Sequence, residues 1–262
     1  MSSALPSSSE TSADLATASV LELETMGAEK RDAGETEEAV KYYQAALEKA
    51  LAKELNVEVL AHIRTQLAVL IDHAGRENEA IPVYEQAVKD LGAMEAPDLI
   101  TAGQLRNNLA MIYKRHGRFA LAEQHYLGAV EALENALGKG SEDVASLYNN
   151  LGGLYYAAGF ADQAKEVFLE ALDMRLALHG PDHPDVAQTH CNLGSVYYEL
   201  GDNAAAQKSF ETCLAILEAH IQDEAASFEA VGNDYIGLLG AIEEDAKAAA
   251  FQKHMNEVLG KS

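Results

Sequence analysis

The sequence predicts an all-α fold in which helical hairpins repeat along the chain and stack as an α-solenoid. The 262 residues contain only five prolines, so the residue that interrupts helices most strongly is rare. The chain also repeats itself with a period of 42 residues, which is typical of stacked structural repeats. An apolar content of 48% supplies enough hydrophobic surface for a buried core.

The repeating unit has a leucine in its first half and a glycine eight residues later. A small residue follows the leucine directly, and an aromatic residue lies seventeen positions after it in each unit. The leucines are Leu67, Leu109, Leu151 and Leu193; the glycines are Gly75, Gly117, Gly159 and Gly201; the aromatic residues are Tyr84, Tyr126, Phe168 and Phe210.

We interpret each unit as a helix, a turn centred on the glycine, and a second helix. The glycine is expected in a left-handed conformation, which only glycine adopts without steric cost. The small residue after the leucine lets the aromatic side chain of the second helix approach closely. Pro82 is expected in the first turn of a second helix, where its missing N–H is tolerated.

The register predicts five units and a degenerate sixth. The first unit matches one residue out of step around Gly34, and in the sixth Glu243 falls at the glycine position. A degraded last unit suits a terminal cap, whose outer face meets water. Residues 1–14 are rich in serine and are expected to form a disordered tail, because they bury too little apolar surface to offset the entropy of ordering. Residues 15–262 are expected to form the solenoid.

The charge of the chain excludes two classes of partner. There are 19 Lys and Arg against 42 Asp and Glu, which gives a net charge of −23 and a pI near 4.6. Nucleic acids and anionic membranes both require a basic surface, so neither is an expected partner. The interval between Lys208 and Lys247 holds no Lys or Arg. Such an acidic surface either attracts a partner of opposite charge or serves solubility alone.

The two cysteines, Cys191 and Cys213, make no disulfide framework. The N-terminus has no secretory signal, and no stretch reaches the roughly 20 apolar residues of a membrane span. A cytoplasmic location is therefore expected.

Two groups of residues could carry chemistry. His179 and His183, with Asp182 and Asp185, could bind a metal, but Gly180-Pro181 and Pro184 favour a turn between two helices. His190 and Cys191 are adjacent, but neighbours on a helix point about 100° apart, so they are expected to be surface positions and not a catalytic pair. No catalytic site, metal or cofactor is expected.

The pattern of leucine, small residue, tyrosine, turn glycine, alanine and aromatic residue resembles the tetratricopeptide repeat. The segments NNLAMIYKRHGRFALAEQHYLGAV and HGPDHPDVAQTHCNLGSVYYELG resemble in particular the repeats of the kinesin light chain. The resemblance implies a right-handed α-solenoid that binds proteins on its concave side. Kinesin light chains carry a long heptad coiled coil before their repeats, whereas only the Ser-rich segment precedes these. That departure favours the bacterial kinesin light chains, which are associated with bacterial tubulins.

The resemblance places the candidate binding residues on the concave side of the first helices. Asn108, Asn150 and Asn192 recur at intervals of 42 residues. An asparagine amide offers a donor and an acceptor to the backbone of an extended peptide. By resemblance, kinesin light chains use matching asparagines to bind peptides. The alternative is that these asparagines form hydrogen bonds between neighbouring repeats. The candidate groove residues are Asn107, Asn108, Lys114, Arg115, Asn149, Asn150, Tyr156, Asn192, Ser195 and Tyr198.

These observations predict a non-catalytic protein-binding scaffold. The resemblance implies a cytoskeletal accessory protein that binds tubulin-like filaments. The alternative is an adaptor or assembly cofactor that binds a peptide in its groove and has no filament role. Since microtubule surfaces are acidic, a filament contact is expected where basic residues concentrate, at Lys114, Arg115, His116 and Arg118.

Overall fold

A computed structural model describes Leu15 and residues 17–261. In that part of the chain all regular structure is helical, which confirms the predicted all-α class of tandem helical hairpins. The helices are α1 Val20–Asp32, α2 Thr36–Ala52, α3 Val57–His73, α4 Glu77–Ala93, α5 Leu99–Arg115, α6 Phe119–Leu137, α7 Glu142–Ala157, α8 Ala161–His179, α9 Pro184–Glu199, α10 Asn203–Ala219, α11 Ile221–Ala241 and α12 Asp245–Val258. The predicted Ser-rich tail lies outside the described residues.

The helices pair in chain order as the register predicts. The chain divides into two compact units, unit 1 up to Ala132 and unit 2 from Leu133. In unit 1, α1 packs on α2 and α3 on α4, while α2 contacts α3 and α4 contacts α5. In unit 2, α7 packs on α8, α9 on α10 and α11 on α12, while α8 contacts α9 and α10 contacts α11. Each hairpin therefore packs against the next one within its unit.

The turn glycines adopt the left-handed conformation that the sequence predicts. Gly159 has φ +82°, and its N–H donates to the carbonyl of Tyr156 at 3.0 Å. The next N–H, of Phe160, donates to the carbonyl of Tyr155 at 2.9 Å. This pair of bonds is the Schellman motif, which satisfies carbonyls left free at a helix end. Positive φ also occurs at the other predicted turn glycines: Gly34, Gly75, Gly117 and Gly201.

The last hairpin, α11 and α12, keeps the same turn without a glycine. Glu243 has φ +64°, and the N–H groups of Glu243 and Glu244 make the corresponding bonds to Gly240 and Leu239. A non-glycine residue in this conformation costs roughly 1–2 kcal/mol. The backbone geometry of the repeat therefore persists at a position where its sequence signature is lost.

Small and large residues meet inside the hairpins as predicted. A Cβ atom added to Gly152 would lie 2.7 Å from Cδ1 of Phe168, and one added to Gly194 would lie 2.8 Å from Cδ2 of Phe210. Both aromatic rings are buried, at 1% and 3% exposure. The glycines thus permit close packing of α7 on α8 and of α9 on α10.

The prediction for Pro82 is wrong. Helix α4 begins at Glu77, so Pro82 is its sixth residue and lies beyond the first turn. Helix α4 starts directly after the turn at Gly75. Its first residue therefore lies closer to the N-terminus than a proline in the first turn would require. Pro82 has no N–H to donate to the carbonyl four residues before it, and the helix continues through the missing bond.

Replacing Gly159 by valine is expected to lower the free energy of unfolding by about 1–2 kcal/mol, because a β-branched residue at φ +82° brings Cβ too close to the backbone. Chemical denaturation monitored by circular dichroism measures the change. Gly140→Val is the matched control, since a Cβ at Gly140 meets nothing within 4 Å and its φ is not in the left-handed region. Equal losses in the two variants would contradict a conformational role for Gly159.

Candidate functional site

The candidate binding residues lie on the first helix of each hairpin, along the side that its partner helix does not cover. We define the first-helix face of unit 1 as the partly exposed residues of α3 and α5. The first-helix face of unit 2 is defined as the partly exposed residues of α7, α9 and α11. Four predicted residues lie on the former: Asn107, Asn108, Lys114 and Arg115. Five lie on the latter, Asn150, Tyr156, Asn192, Ser195 and Tyr198, whereas the sixth, Asn149, is buried on α7.

Two residues of the predicted basic cluster in unit 1, Arg115 and His116, pair with acidic residues of their own unit. Arg115 donates from Nε to Oε1 of Glu77 at 2.8 Å, and its guanidinium lies 3.6 Å from Oδ1 of Asp72. His116 pairs with the other oxygen of Glu77 at 2.8 Å. Because these contacts occupy Arg115, its charge serves the packing of α5 beside α4 and α3 and is only partly available to a partner.

Lys114 differs from Arg115 because it is half-buried and makes no ion pair within the described residues. Burial lowers the pKa of its ammonium group. An ammonium group without a counter-ion gains from an added carboxylate, so Lys114 is suited to an acidic partner group. Arg118 is exposed and also lacks an ion pair in the described part of the chain.

Asn108 is linked to a buried tyrosine of the preceding repeat. Its side chain hydrogen-bonds Tyr84, whose hydroxyl also donates to Oδ2 of Asp72 at 3.2 Å. Burial and then the charge of Asp72 raise the pKa of Tyr84 well above its ordinary value. Asn107 donates to Oδ1 of Asn108 at 3.4 Å. These bonds favour the structural alternative for Asn108, while its half-exposed amide keeps unused capacity.

In unit 2 an asparagine also bridges neighbouring repeats. Nδ2 of Asn192 on α9 donates to Oδ1 of Asn149 on α7 at 3.0 Å. Asn149 is only 7% exposed, so the bond fixes the two first helices from inside the face. Asn150 and Asn192 are half-exposed and lie at the same repeat position. An amide has two donor hydrogens and an acceptor oxygen, so Asn192 can bond both Asn149 and a partner.

Tyr156 and Tyr198 project from the same repeat position on α7 and α9. Their exposures are 40% and 45%, which is high for an aromatic residue. Partial burial raises the pKa of Tyr156, and the charges of Glu199 and Asp234 raise it further. Ser195 donates within its own helix to the carbonyl of Cys191 at 3.4 Å. Two aromatic rings with acidic neighbours therefore stand on a polar helix face.

The structure adds two features to this face that the sequence analysis missed. Asp234 occupies the repeat position of Asn108, Asn150 and Asn192 on α11, and the 42-residue register could have identified it. Cys191 is half-buried and hydrogen-bonds Cys213, which lowers the pKa of the Cys191 thiol and raises that of Cys213. His190 is half-buried as well. The prediction that His190 and Cys191 are surface positions is therefore wrong in part.

A pocket of about 360 Å³ opens beside Asn192 in unit 2. Polar side chains of α9 and α11 line one side of the pocket, and apolar side chains of α10 and α11 line the other side. The lining includes Gln188, Cys191, Leu217, Glu224, Ala230 and Val231. Helix α11 is kinked at Glu224, whose φ and ψ of −109° and 17° are not helical. The kink belongs to the wall of this pocket.

The histidines of the linker between α8 and α9 are placed as a turn requires. The rings of His179 and His183 stack, with centroids 4.2 Å apart and planes inclined by 19°. Nδ1 of His183 accepts the N–H of Asp185 at 3.2 Å and caps α9. His179, His183 and Asp185 have ligand atoms within 4.8 Å of one another. Stacked rings, however, aim their in-plane lone pairs along nearly parallel planes and not at one point, which favours the turn over a metal site.

Comparison with known proteins places the chain in a family. A model of the tetratricopeptide repeat matches residues 101–176 and 143–219. The crystal structure of BtubC (BKLC) from P. vanneervenii is 32% identical, covers 78% of this chain and 81% of that chain, and superimposes with a TM-score of 0.66. The TPR-like repeats of a kinesin light chain from Podospora anserina are 20% identical over 75% of this chain and 94% of that chain, with a TM-score of 0.63.

More distant structures share the fold alone. The C-terminal part of a TPR repeat-containing protein from Cytophaga hutchinsonii is 14% identical, covers 95% of this chain and 88% of that chain, and gives a TM-score of 0.65. No curated protein sequence matches the chain. Among the described residues, no helix is both long and apolar enough to cross a membrane. The chain belongs to the tetratricopeptide-repeat family, and its repeats resemble those of the kinesin light chain.

Proposed function

We propose that the chain is a non-catalytic scaffold for protein–protein interaction that binds a tubulin-like filament. Tetratricopeptide repeats build extended surfaces on which other proteins dock, which supports the scaffold role. The observation that carries the filament role is the 32% identity to BtubC (BKLC) over 81% of that protein. The kinesin-light-chain type of the repeats agrees with it, since the bacterial members that the sequence resembles are associated with bacterial tubulins.

A peptide-binding adaptor without a filament role is the second candidate. It is supported by the first-helix face of unit 2, where Tyr156, Tyr198 and the half-exposed Asn192 offer apolar and hydrogen-bonding groups side by side. An adaptor binds a short peptide in solution, whereas a filament accessory protein sediments with the polymer. Co-sedimentation therefore distinguishes the two candidates.

The wild-type chain is expected to co-sediment with polymerised bacterial tubulin in a saturable way. The double variant Lys114→Glu/Arg118→Glu is expected to bind about 10-fold more weakly, because two attractive contacts become repulsive. These two positions are chosen because neither makes an ion pair in the described part of the chain, whereas Arg115 is held by Glu77. The bound fraction is measured against polymer concentration at low salt.

The matched control is Lys165→Glu/Lys253→Glu, which changes the net charge equally on α8 and α12 of unit 2. This control is expected to keep an affinity for the polymer within about 2-fold of the wild type. Neutralisation of Glu243, Glu244 and Asp245 is expected to have the same small effect. Circular dichroism verifies that each variant is folded. Failure of the wild-type chain to sediment with the polymer at low salt, where attraction is screened least, would reject the filament role.

A further inference from the structure

Unit 2 has a strong excess of acidic residues, and most of its lysines are already paired with carboxylates. From Leu133 to the end of the sequence there are 21 Asp and Glu against 7 Lys and Arg. Five of the lysines pair with carboxylates of the same unit: Lys139 with Glu170, Lys165 with Asp162, Lys247 with Glu211, Lys253 with Glu257 and Lys261 with Glu229. Arg175 is buried, and Lys208 lies on α10, a second helix of its hairpin, and not on the first-helix face.

Several carboxylates on the first helices of unit 2 have no such partner, and three of them matter here because they act on Tyr156 or line the pocket beside Asn192. Glu199 lies on α9, and Glu224 and Asp234 lie on α11. Within the described residues none of the three side chains makes a hydrogen bond or an ion pair. Asp185, at the start of α9, is different because the buried Arg175 compensates its charge. The field of this face is therefore negative and unbalanced at Glu199, Glu224 and Asp234.

Aromatic rings stand among these carboxylates. The charges of Glu199 and Asp234 both act on the hydroxyl of Tyr156, and the 42-residue register places Asp234 on α11 at the repeat position of Asn192 on α9. Tyr198 precedes Glu199 on α9 and is 45% exposed. The face of a tyrosine ring attracts a cation, and a neighbouring carboxylate adds an ion pair. An exposed tyrosine beside unpaired carboxylates is a suitable site for the charged end of a lysine or arginine side chain.

The pocket beside Asn192 offers a second position of the same kind. Leu217, Ala230 and Val231 give it an apolar wall, and Glu224 gives it a carboxylate. Lysine and arginine bury an aliphatic stem against apolar surface while the charged end reaches a polar group. The volume of about 360 Å³ is in the range that accommodates such a side chain.

We infer that the first-helix face of unit 2 binds an extended, basic protein segment that carries lysine or arginine side chains. One basic side chain lies at the Tyr156 and Tyr198 rings against Glu199 and Asp234, and another enters the pocket toward Glu224. The remaining amide capacity of Asn192 bonds the backbone of the segment between them. This inference rests on the proposed role of the first-helix faces in binding protein and specifies the chemistry of the partner at one of them.

The test uses the full chain and an oriented library of extended decapeptides in which one position at a time is fixed. Lysine and arginine are expected to be enriched at two or more positions. A selected basic peptide is then titrated by fluorescence anisotropy. Its affinity is expected to fall about 10-fold in Glu199→Gln/Asp234→Asn and to decrease with added salt. The variants preserve side-chain shape, and their melting temperatures are expected to equal that of the wild type, because the two carboxylates are exposed and unpaired.

Two controls separate the site from general acidity. Glu243→Gln/Glu244→Gln removes the same charge at the turn between α11 and α12 and is expected to leave peptide affinity within about 2-fold. Tyr156→Phe/Tyr198→Phe is expected to retain binding, whereas Tyr156→Ala/Tyr198→Ala is expected to lose about 10-fold, because a phenyl ring keeps the attraction for a cation.

Selection of acidic or uncharged peptides, or unchanged affinity in Glu199→Gln/Asp234→Asn, would overturn the inference. Neither result touches the filament role, which co-sedimentation tests separately. Conversely, a chain that selects basic peptides but does not sediment with tubulin polymer would retain this site and lose the filament role.

Discussion

Phe168→Ala is expected to lower the free energy of unfolding by about 3–5 kcal/mol, which is the usual cost of truncating a fully buried phenylalanine. Phe168 is 1% exposed, and its ring lies directly over Gly152, the small residue of the facing helix. Because Gly152 has no side chain that could move into the space, the cavity stays open after truncation. The ring belongs to the same buried cluster as Val186, Leu193 and Phe210, so the loss extends to the next hairpin.

Phe160→Ala is the matched control, because it makes the same chemical change at a residue that is 52% exposed at the start of α8. It is expected to cost about 1 kcal/mol or less. Urea denaturation followed by circular dichroism gives both values. Repeat arrays unfold in parts when neighbouring repeats uncouple, so a broadened transition in Phe168→Ala would be consistent with loss of nearest-neighbour packing. Equal losses in the two variants would contradict the assignment of Phe168 to the inside of the hairpin.

The fold was predictable because its signal is repeated. The leucine, glycine and aromatic positions recur at the same spacing in four units, so an exception in one unit does not hide the pattern. Glu243 shows how far this holds: the glycine signature is lost, yet the left-handed turn is kept by its surroundings. The boundary of a single helix has no such redundancy. Pro82 pointed to a first turn, but the position of the preceding glycine turn decided where α4 begins.

The candidate site was predictable in position but not in its bonds. The register placed Asn108, Asn150 and Asn192 on corresponding helix faces. It could not show that Arg115 is held by Glu77, a residue 38 positions earlier, since that contact depends on how two helices are rotated against each other. The contact of Cys191 with Cys213 has the same origin. Long-range pairings of this kind do not follow from the period of one helix.

The charge of the site shows a further limit of sequence reasoning. Lys114 and Arg115 are adjacent in the sequence and have the same formal charge, but Arg115 is paired with Glu77 and Asp72 while Lys114 has no counter-ion in the described part of the chain. Conversely, Glu199 and Asp234 are 35 residues apart, and both influence Tyr156. Counting charges along a segment therefore misjudges which of them a partner meets.

The triple variant Asn108→Ala/Asn150→Ala/Asn192→Ala is expected to weaken partner binding by about 10-fold to 1000-fold. Each lost hydrogen bond to a partner backbone costs about 0.5–1.5 kcal/mol, and three such losses give that range. The structure adds that Asn108 also bonds Tyr84 and that Asn192 also bonds Asn149. A lower melting temperature is therefore expected together with the weaker binding, and the two effects must be measured separately.

Asn149→Ala separates them, because Asn149 is buried and accepts the bond from Asn192 without facing a partner. If Asn192 binds a partner, Asn149→Ala lowers the melting temperature but leaves affinity within about 2-fold, whereas Asn192→Ala lowers both. If Asn192 acts only between repeats, both variants lower the melting temperature and neither changes affinity. Affinity is measured for the tubulin polymer by co-sedimentation and for a selected peptide by anisotropy, with thermal unfolding recorded on the same preparations. Unchanged affinity of the triple variant for both ligands, beside a lowered melting temperature, would assign the asparagines to the joining of neighbouring repeats.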